Sequence, residues 1–331
     1  MKSVNDWRTQ LHIDAIPVLL SSRNKAIVYF VQRDLLDELV PSINFVWELP
    51  EPQKLLRRQR ADGSWEKAGK KTIVYPPNHH NLVETFKRFR ILIEKYEFIR
   101  ENPAIQKGAE FLFSFQTKEG DIRGFIGNQY ATYYTGYVLS LLIKAGYEDN
   151  PRIEKGMQWL LSMRQNDGGW TIPILTHKFN RDTGYKLTSQ YAEPIEPDRA
   201  GPFSHNWTDM VLRAFTAHSK YRKSGEAIAA GALLKSSFFQ PDAYTSYRSP
   251  RYWTRFAFWW PNLLTALDSL SLLGFTKDDP DISMGLDWFI DNQQPDGLWK
   301  LESGKPVKAK DMEERLWLGL NVCRMLKRYF V

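Results

Sequence analysis

The sequence predicts an all-α fold, an α/α toroid in which six inner and six outer helices pair around a ring. Two observations lead to this prediction. A turn of the type Asp-Gly-x-Trp recurs, in RQRADGSW ending at Trp65, RQNDGGW ending at Trp170 and NQQPDGLW ending at Trp299. An amphipathic helix with constant spacing precedes the turn in the complete copies, and a repeat of this length is typical of stacked helix pairs.

Three aligned segments, 101–122, 149–170 and 278–299, have the same helical signals. Each begins with an N-cap residue followed by proline, which fits the first helical position because no N–H is needed there. Apolar residues then recur at i, i+4, i+7 and i+8, which gives one buried stripe. A glycine at a constant central position costs about 1 kcal/mol relative to alanine, so we predict close approach of a neighbouring helix. The caps are Asn102, Asn150 and Asp279, and the glycines are Gly108, Gly156 and Gly285.

The remaining elements alternate with these segments along the chain. The N-terminal segment, about residues 5–20, is predicted to supply the sixth outer helix and to close the ring, which leaves no exposed terminal repeat. One domain, 1–331, is therefore expected, with a long irregular connection at 171–204 that could cover the cavity. Inner helices are predicted near 24–39, 79–99, 129–146, 205–221, 257–274 and 311–329, and the other outer helices near 43–59, 103–117, 151–164, 225–239 and 280–293.

Composition restricts the class of protein. Of the 331 residues, 43% are hydrophobic, which suits a folded chain, and 14% are aromatic, including 12 Trp, which suits an aromatic-lined cavity. The net charge of +7 comes without a dense basic run, so no nucleic-acid partner is predicted. The single cysteine, Cys323, excludes an intrachain disulfide. The first residues lack the apolar core of a signal peptide, and no apolar window could span a membrane, so a cytoplasmic location is expected.

The repeat resembles the QW motif of the squalene cyclase and protein prenyltransferase superfamily. That motif reads basic–Gly–x2–aromatic–aliphatic–x3–Gln–x3–Gly–x–Trp. The copy at 149–170, which is the third copy when the turn ending at Trp65 is counted, has Arg164 in the Gln position and Gln165 one place further on. The resemblance implies a terpenoid cyclase-like toroid around a central cavity. The matching residues are Lys107, Gly108, Phe111, Leu112, Gln116 and Gly120 in one copy, and Gly285, Trp288, Phe289, Gln293, Gly297 and Trp299 in another.

Two motifs of that superfamily are missing from the sequence. There is no Asp-x-Asp-Asp acid motif of the class II cyclases, and DDPD at 278–281 is interpreted as a capping turn because it aligns with the starts of the other outer helices. No Asp-x-Cys pair of the zinc-dependent prenyltransferases occurs either. We therefore predict no metal and no cofactor.

In such a toroid the N-terminal ends of the inner helices line the mouth of the cavity. His205 and Asp209 lie at i and i+4, and a carboxylate beside an imidazole suits general acid–base chemistry; the alternative is a solvated helix start, where Asp is favoured by the dipole. His79 and His80 open another inner helix and complete the predicted catalytic set. The predicted substrate-binding residues at these helix starts are Tyr133, Tyr134, Tyr137, Trp207 and Glu313.

A second candidate is the segment YRSPRYWTRFAFWWP at 247–261, where basic and aromatic residues alternate. Guanidinium groups bind phosphates and aromatic rings stabilise apolar tails or cations, so the segment suits an isoprenyl diphosphate. The alternative is a surface loop with aromatic residues packed beneath it. The predicted substrate-binding residues of this segment are Arg248, Arg251, Arg255, Trp259 and Trp260.

Three classes of function stay open from the sequence. The resemblance implies an isoprenoid-handling enzyme, either terpene-cyclase-like or prenyl-transfer-like. Such an enzyme would act on an apolar small molecule in an aromatic-lined cavity. A peripheral contact with a membrane would be compatible with this class. The aromatic, Asn-His and Tyr/Arg residues would also suit a carbohydrate-active toroid, a polysaccharide lyase or hydrolase. A non-catalytic binding or scaffold protein is the third alternative.

Overall fold

The computed structural model describes residues 6–67, 69, 74–244, 248–257 and 260–331. Among these residues the regular structure is helical, with no strand beyond isolated bridges, so the predicted all-α fold class is confirmed. No described helix is both long and apolar enough to cross a membrane. The helices are α1 Asp6–Thr9, α2 Ile16–Leu20, α3 Lys25–Phe30, α4 Asn44–Trp47, α5 Pro50–Leu56, α6 His79–Tyr96, α7 Pro103–Phe113, α8 Thr132–Leu142, α9 Pro151–Ser162, α10 Arg181–Ser189, α11 His205–Ala217, α12 Gly225–Ser236, α13 Leu263–Leu272, α14 Pro280–Asp291 and α15 Met312–Phe330.

The chain divides into two compact units. Unit 1 consists of Met1–Leu49 together with Gly231–Val331, and unit 2 consists of Pro50–Ala230. In unit 2, α8 packs against α6, α9 and α11. The approach of α8 to α11 is close, since a Cβ on Gly136 would lie 2.6 Å from the Cα of Val211.

The repeated turns of unit 2 connect each outer helix to the next. The Nε2 of Gln59 donates to the carbonyl of Gly63 in its own turn, at 3.0 Å, and to that of Ala104 at the start of α7, at 2.7 Å. Gln116 does the same with Gly120 and Arg152, both at 2.8 Å. One glutamine in each copy thus satisfies two backbone carbonyls and fixes the spacing of neighbouring outer helices.

The tryptophan of each turn is a buried packing residue. The indole N–H of Trp65 donates to Leu55 O at 2.8 Å, and that of Trp170 donates to Leu160 O at 2.7 Å. The backbone N–H groups of the same two residues donate to Thr85 and Thr208, at 2.9 Å each. Because Thr85 lies on α6 and Thr208 on α11, each turn joins an outer helix to the inner helix that follows.

The third copy departs from this arrangement as its sequence does. Arg164, in the glutamine position, donates from Nε to Gly168 O at 2.9 Å, which preserves the bond within the turn. The shifted Gln165 donates instead to the carbonyls of Asp198 and Gly201, at 2.8 and 2.9 Å. The connection 171–204 therefore takes the place of a following outer helix, and it is more regular than predicted because it includes α10.

In unit 1 the N-terminal segment occupies the position of a following outer helix. Gln293 donates to Gly297 O at 3.0 Å and to Ile13 O at 2.7 Å, and its side-chain oxygen accepts from Ile13 N at 3.0 Å. The segment predicted as one helix near 5–20 is interrupted between α1 and α2. The interruption has a local cause, since the Asp14 carboxylate accepts from Ile16 N at 3.0 Å.

The predicted caps and close approaches are confirmed. Asn102, Asn150 and Asp279 each accept from a backbone N–H two residues on, at 2.9 to 3.0 Å, so DDPD is a capping turn. A Cβ on Gly108 would lie 2.9 Å from the Phe89 ring, and one on Gly156 would lie 2.7 Å from Leu139. Two predicted bounds were wrong: the helix expected at 257–274 begins only at Leu263, after its N-cap Asn262, and the helix expected at 43–59 is split into α4 and α5.

Candidate functional site

Three helices of unit 2, α6, α8 and α11, bring six aromatic side chains together with the loop residue Phe125 as one of them. The rings of Phe125 and Tyr134 stack with centroids 3.9 Å apart and planes 9° apart. Tyr133 lies 4.4 Å from Tyr134 on one side and 4.4 Å from Trp207 on the other. We call this set the aromatic cluster, and its members are Phe86, Phe125, Tyr133, Tyr134, Tyr137 and Trp207.

The rings of the aromatic cluster differ in exposure. Phe86, Phe125, Tyr137 and Trp207 are buried, with 0–6% of their surface exposed. The Tyr133 and Tyr134 side chains are half-buried. Tyr133 and Tyr134 are therefore the two most accessible rings of the cluster.

Charged side chains lie directly behind the buried rings. The guanidinium of Arg213 lies 4.6 Å from the centroid of Tyr137, and that of Arg90 lies 5.5 Å from the centroid of Phe86. The Tyr137 hydroxyl donates to Glu94 Oε2 at 2.7 Å. These contacts fix the orientation of Tyr137 and occupy one face of two rings in the cluster.

Burial and pairing shift the pKa values of this charged group. Burial raises the pKa of Tyr137 far above its usual range, and the nearby Glu94 carboxylate raises it further. Burial lowers the pKa of Arg90, while Tyr137 and Glu94 oppose that shift. For Arg213 burial also acts to lower the pKa, but the Asp209 carboxylate outweighs it and the pKa is raised. Tyr137 is therefore a neutral hydrogen-bond donor and Arg213 a permanent cation.

The predicted catalytic residues His205 and Asp209 both lie buried on α11. The helix begins at His205, where predicted, because the Ser204 side chain caps it by accepting from Trp207 N at 3.3 Å. Asp209 forms an ion pair with Arg213, one turn further on, with Oδ2 2.9 Å from Nη2. Asp209 is thus the counter-ion of a buried guanidinium, a partner that the sequence-based pairing with His205 did not include.

His79 and His80 begin α6 as predicted and pack edge to face, with centroids 5.4 Å apart. His79 Nδ1 lies 2.9 Å from Gly124 O. Since a carbonyl can only accept, Nδ1 carries the hydrogen and Nε2 is the free acceptor in the neutral ring. Partial burial lowers the pKa of His79, which favours this neutral form at pH 7.

The remaining predicted residues belong to unit 1. Arg248 and Arg251 are exposed, and Arg255 lies 3.8 Å from the Glu302 carboxylate. Glu313 accepts from the side chain of Asn24, the N-cap of α3, at 3.0 Å, so its described contact is with a helix start.

The aromatic residues of that segment are placed in part. Trp260 is buried, with its ring 6.5 Å from Tyr252, and Trp259 lies outside the described residues. In the described part of the chain no group of three or more His, Cys, Asp or Glu side chains is placed to hold a metal ion.

Sequence reasoning missed the charged residues behind the aromatic cluster. A signal for each was present. Arg90 follows Phe86 and Phe89 on the apolar face of α6, where an arginine needs a partner. Arg213 lies four residues after Asp209, which is the spacing of an ion pair on a helix.

Part of the chain matches a known family. Residues 83–189 match the family model for the squalene-hopene cyclase C-terminal domain. The resemblance predicted from the QW motif is therefore confirmed over these residues, which run from α6 through α10.

Solved structures show weaker similarity. A protein from Actinoplanes is 14% identical with a TM-score of 0.46, over 87% of this chain and 88% of that one. A variant of the type II terpene cyclase MstE from Scytonema, in complex with geranylgeranyl dihydroxybenzoate, is 11% identical with a TM-score of 0.42, over 87% of this chain and 84% of that one. No curated protein sequence is significantly similar to the chain.

Proposed function

We propose that the chain is an isoprenoid-handling enzyme of the cyclase type and that the aromatic cluster of unit 2 binds its substrate. One observation carries the proposal: the segment that matches the squalene-hopene cyclase C-terminal domain contains most of the cluster. Phe86, Phe125, Tyr133, Tyr134 and Tyr137 all fall within residues 83–189.

The chemistry of the cluster supports the same proposal. Aromatic faces bind polyene chains through apolar contact and attract a carbocation through the ring quadrupole, by about 0.5–2 kcal/mol for each ring. Phe86 and Tyr137 each have a guanidinium over one face, and a cationic intermediate would be repelled there. The half-buried rings of Tyr133 and Tyr134 are therefore the ones we assign to the reacting part of an isoprenoid.

The acid–base role in this proposal belongs to His205 rather than to Asp209. Asp209 is held by Arg213 as a carboxylate counter-ion, a poor arrangement for donating a proton. His205 is buried one turn before it on the same helix and lies two residues before Trp207. We assign His79, with Nε2 as its free acceptor, to the alternative role of a base that ends the reaction by removing a proton.

The test is incubation of the purified chain with linear polyprenes, with and without a diphosphate group, followed by gas chromatography and mass spectrometry of extracted products. Native mass spectrometry of the same mixtures reports binding separately from turnover. A cyclised hydrocarbon or alcohol supports a cyclase, and release of diphosphate with a coupled product would indicate prenyl transfer instead. Absence of any polyprene complex and of any product would refute the proposal.

Substitutions connect the result to the aromatic cluster. Tyr134→Leu and Trp207→Leu replace an aromatic ring by a smaller apolar side chain, and we expect about a tenfold loss of turnover from each, as a lost cation–π contact predicts. Phe111→Leu is the matched control, because Phe111 contacts the Phe115 ring, with centroids 5.3 Å apart, in the same unit and outside the cluster. Equal losses in all three variants would mean that ring removal acts through stability alone.

A further inference from the structure

A groove lies along the exposed face of α14 in unit 1. It has a volume of about 530 Å³ and is largely open to solvent. Its apolar walls are the half-buried rings of Phe239 and Trp288 and the exposed side chain of Met284. Asp287 and Asp291 are exposed one helical turn apart, on either side of Trp288 in sequence. We call this feature the α14 groove, and its remaining lining residues are Pro280 and Ser283.

The two carboxylates of the α14 groove differ in their pairing from those at the start of the same helix. Asp279 and Asp281 share Lys235, whose Nζ lies 3.1 and 2.8 Å from their oxygens. Asp287 and Asp291 have no ion-pair partner in the part of the chain that the structure describes. Because acidic side chains flank an apolar floor, the groove is complementary to a surface that presents cations beside an apolar ring.

Residues 177–191 of unit 2, which we call the exposed segment, present such a surface. The segment contains α10, and none of the residues of that helix is buried. Tyr185 is 68% exposed, and Arg181 lies one turn before it on the same face of the helix. Lys186 is exposed next to Tyr185 in sequence. Asp182 is the only acidic residue of the segment, so the charge of the segment is positive.

We propose that the α14 groove binds the exposed segment of a second copy of the chain. Tyr185 of one copy packs against Trp288 and Met284 of the other, and the two basic residues of α10 face the two carboxylates of the groove. The spacing of the charges agrees, since the basic residues are separated by about 7.5 Å along α10 and the carboxylates by about 6 Å along α14. The inference is independent of the proposed function, because neither surface includes a residue of the aromatic cluster.

The two surfaces are different, so the contact is heterologous. Each copy offers one groove and one segment, and association can therefore continue into a closed ring or an open chain. A helix of nine residues buries little area, and we expect a weak contact with a dissociation constant of about 10–100 µM. Opposite charges form part of the contact, so added salt should weaken it.

The first experiment is sedimentation equilibrium of the purified full chain, at concentrations from well below to well above this dissociation constant. We expect the mean molecular mass to rise with concentration at low ionic strength and to rise less at high ionic strength. A chain that stays monomeric throughout would overturn the proposal.

Two complementary variants give the sharper test. The groove variant carries Asp287→Lys and Asp291→Lys, and the segment variant carries Arg181→Gln, Tyr185→Ser and Lys186→Gln. We expect each variant alone to associate about 20-fold more weakly than the parent chain or less, because a central ring and paired rim charges are lost. An equal mixture retains one intact groove and one intact segment, so it should form a dimer of the two variants and nothing larger.

Matched controls carry the same kinds of change at other exposed sites. Phe45→Ser with Arg57→Gln and Arg58→Gln is the control for the segment variant, and Glu101→Lys with Asp149→Lys is the control for the groove variant. Both should associate like the parent chain. Association of the groove and segment variants at parent strength, equal losses in the controls, or a mixture that stays monomeric would each overturn the proposal. Circular dichroism of each variant checks that it is folded, and a misfolded variant could not restore association in the mixture.

Discussion

The buried ion pair on α11 gives the sharpest quantitative prediction. Arg213 and Asp209 have side chains that are only 7% and 2% exposed, with their charged atoms 2.9 Å apart. Asp209→Asn keeps the size and shape of the side chain but removes its charge. The change therefore leaves a buried guanidinium without its closest counter-ion.

The expected loss of stability follows from this geometry. Removing one partner of a buried ion pair costs about 3–5 kcal/mol, because the remaining charge has lost its solvation and its partner. Arg213 retains the ring of Tyr137 at 4.6 Å, and Glu94 also favours its charged form. Part of the compensation thus survives, and we expect a decrease of about 3 kcal/mol in the free energy of unfolding, near the lower end of the range.

Urea unfolding of purified variants measures this change. The double variant Asp209→Asn with Arg213→Met should regain most of the lost stability, since it removes the stranded charge. Glu110→Gln is the control, because the Glu110–Arg152 pair has side chains 60% and 38% exposed and should contribute less than about 1 kcal/mol. A loss below about 1 kcal/mol for Asp209→Asn, or a double variant as unstable as the single one, would refute the reasoning.

Three further changes test the repeat and the packing of unit 1. Gln116→Leu removes the two side-chain bonds to Gly120 O and Arg152 O, and should lower the free energy of unfolding by about 1–3 kcal/mol in urea titrations. Gly63→Ala places a Cβ 2.1 Å from Lys107 O at a φ of +85°, and thermal unfolding should show a loss of about 3 kcal/mol or more. Asp34→Asn should make the free energy of unfolding less dependent on pH in acid. Burial raises the pKa of Asp34, but the arginine partners of this carboxylate outweigh burial and the pKa is lowered. The carboxylate therefore stabilises the fold above pH 3.8, and this stabilisation is lost as the pH falls through the lowered pKa.

Each of the three changes has a control of the same type. Gln106→Leu removes one exposed bond, and a loss as large as that of Gln116→Leu would contradict a special role for the repeat glutamine. Gly274 has a similar φ of +89°, and a Cβ added there would have no atom within 4 Å. An equal loss of stability in Gly274→Ala would therefore mean that backbone strain alone explains the effect of Gly63→Ala. The exposed Asp149→Asn is the control for removal of one carboxylate, and the idea fails if Asp34→Asn changes the pH profile no more than this control does.

The sequence predicted the parts of the fold that depend on local signals. Caps such as Asn150 and glycines such as Gly156 act within one helix or against its nearest neighbour, so their spacing was sufficient. Tertiary partners were harder to foresee. The pairing of Asp209 with His205 stays a prediction, whereas the ion pair of Asp209 with Arg213, at i+4, was not considered in the sequence analysis. The rings of the aromatic cluster come from three helices and one loop, and their distances depend on packing that no single segment encodes.

The link between Gln293 and Ile13 has a consequence for the order in which the chain can fold during its synthesis. The equivalent links of Gln59 and Gln116 span 45 and 36 residues, so they can form soon after those residues leave the ribosome. The Gln293 link spans 280 residues, and unit 1 is assembled from two distant stretches of the chain. Unit 2 can therefore fold while its ribosome is still translating, whereas the N-terminal segment of unit 1 must wait for a partner that lies 280 residues further along the chain.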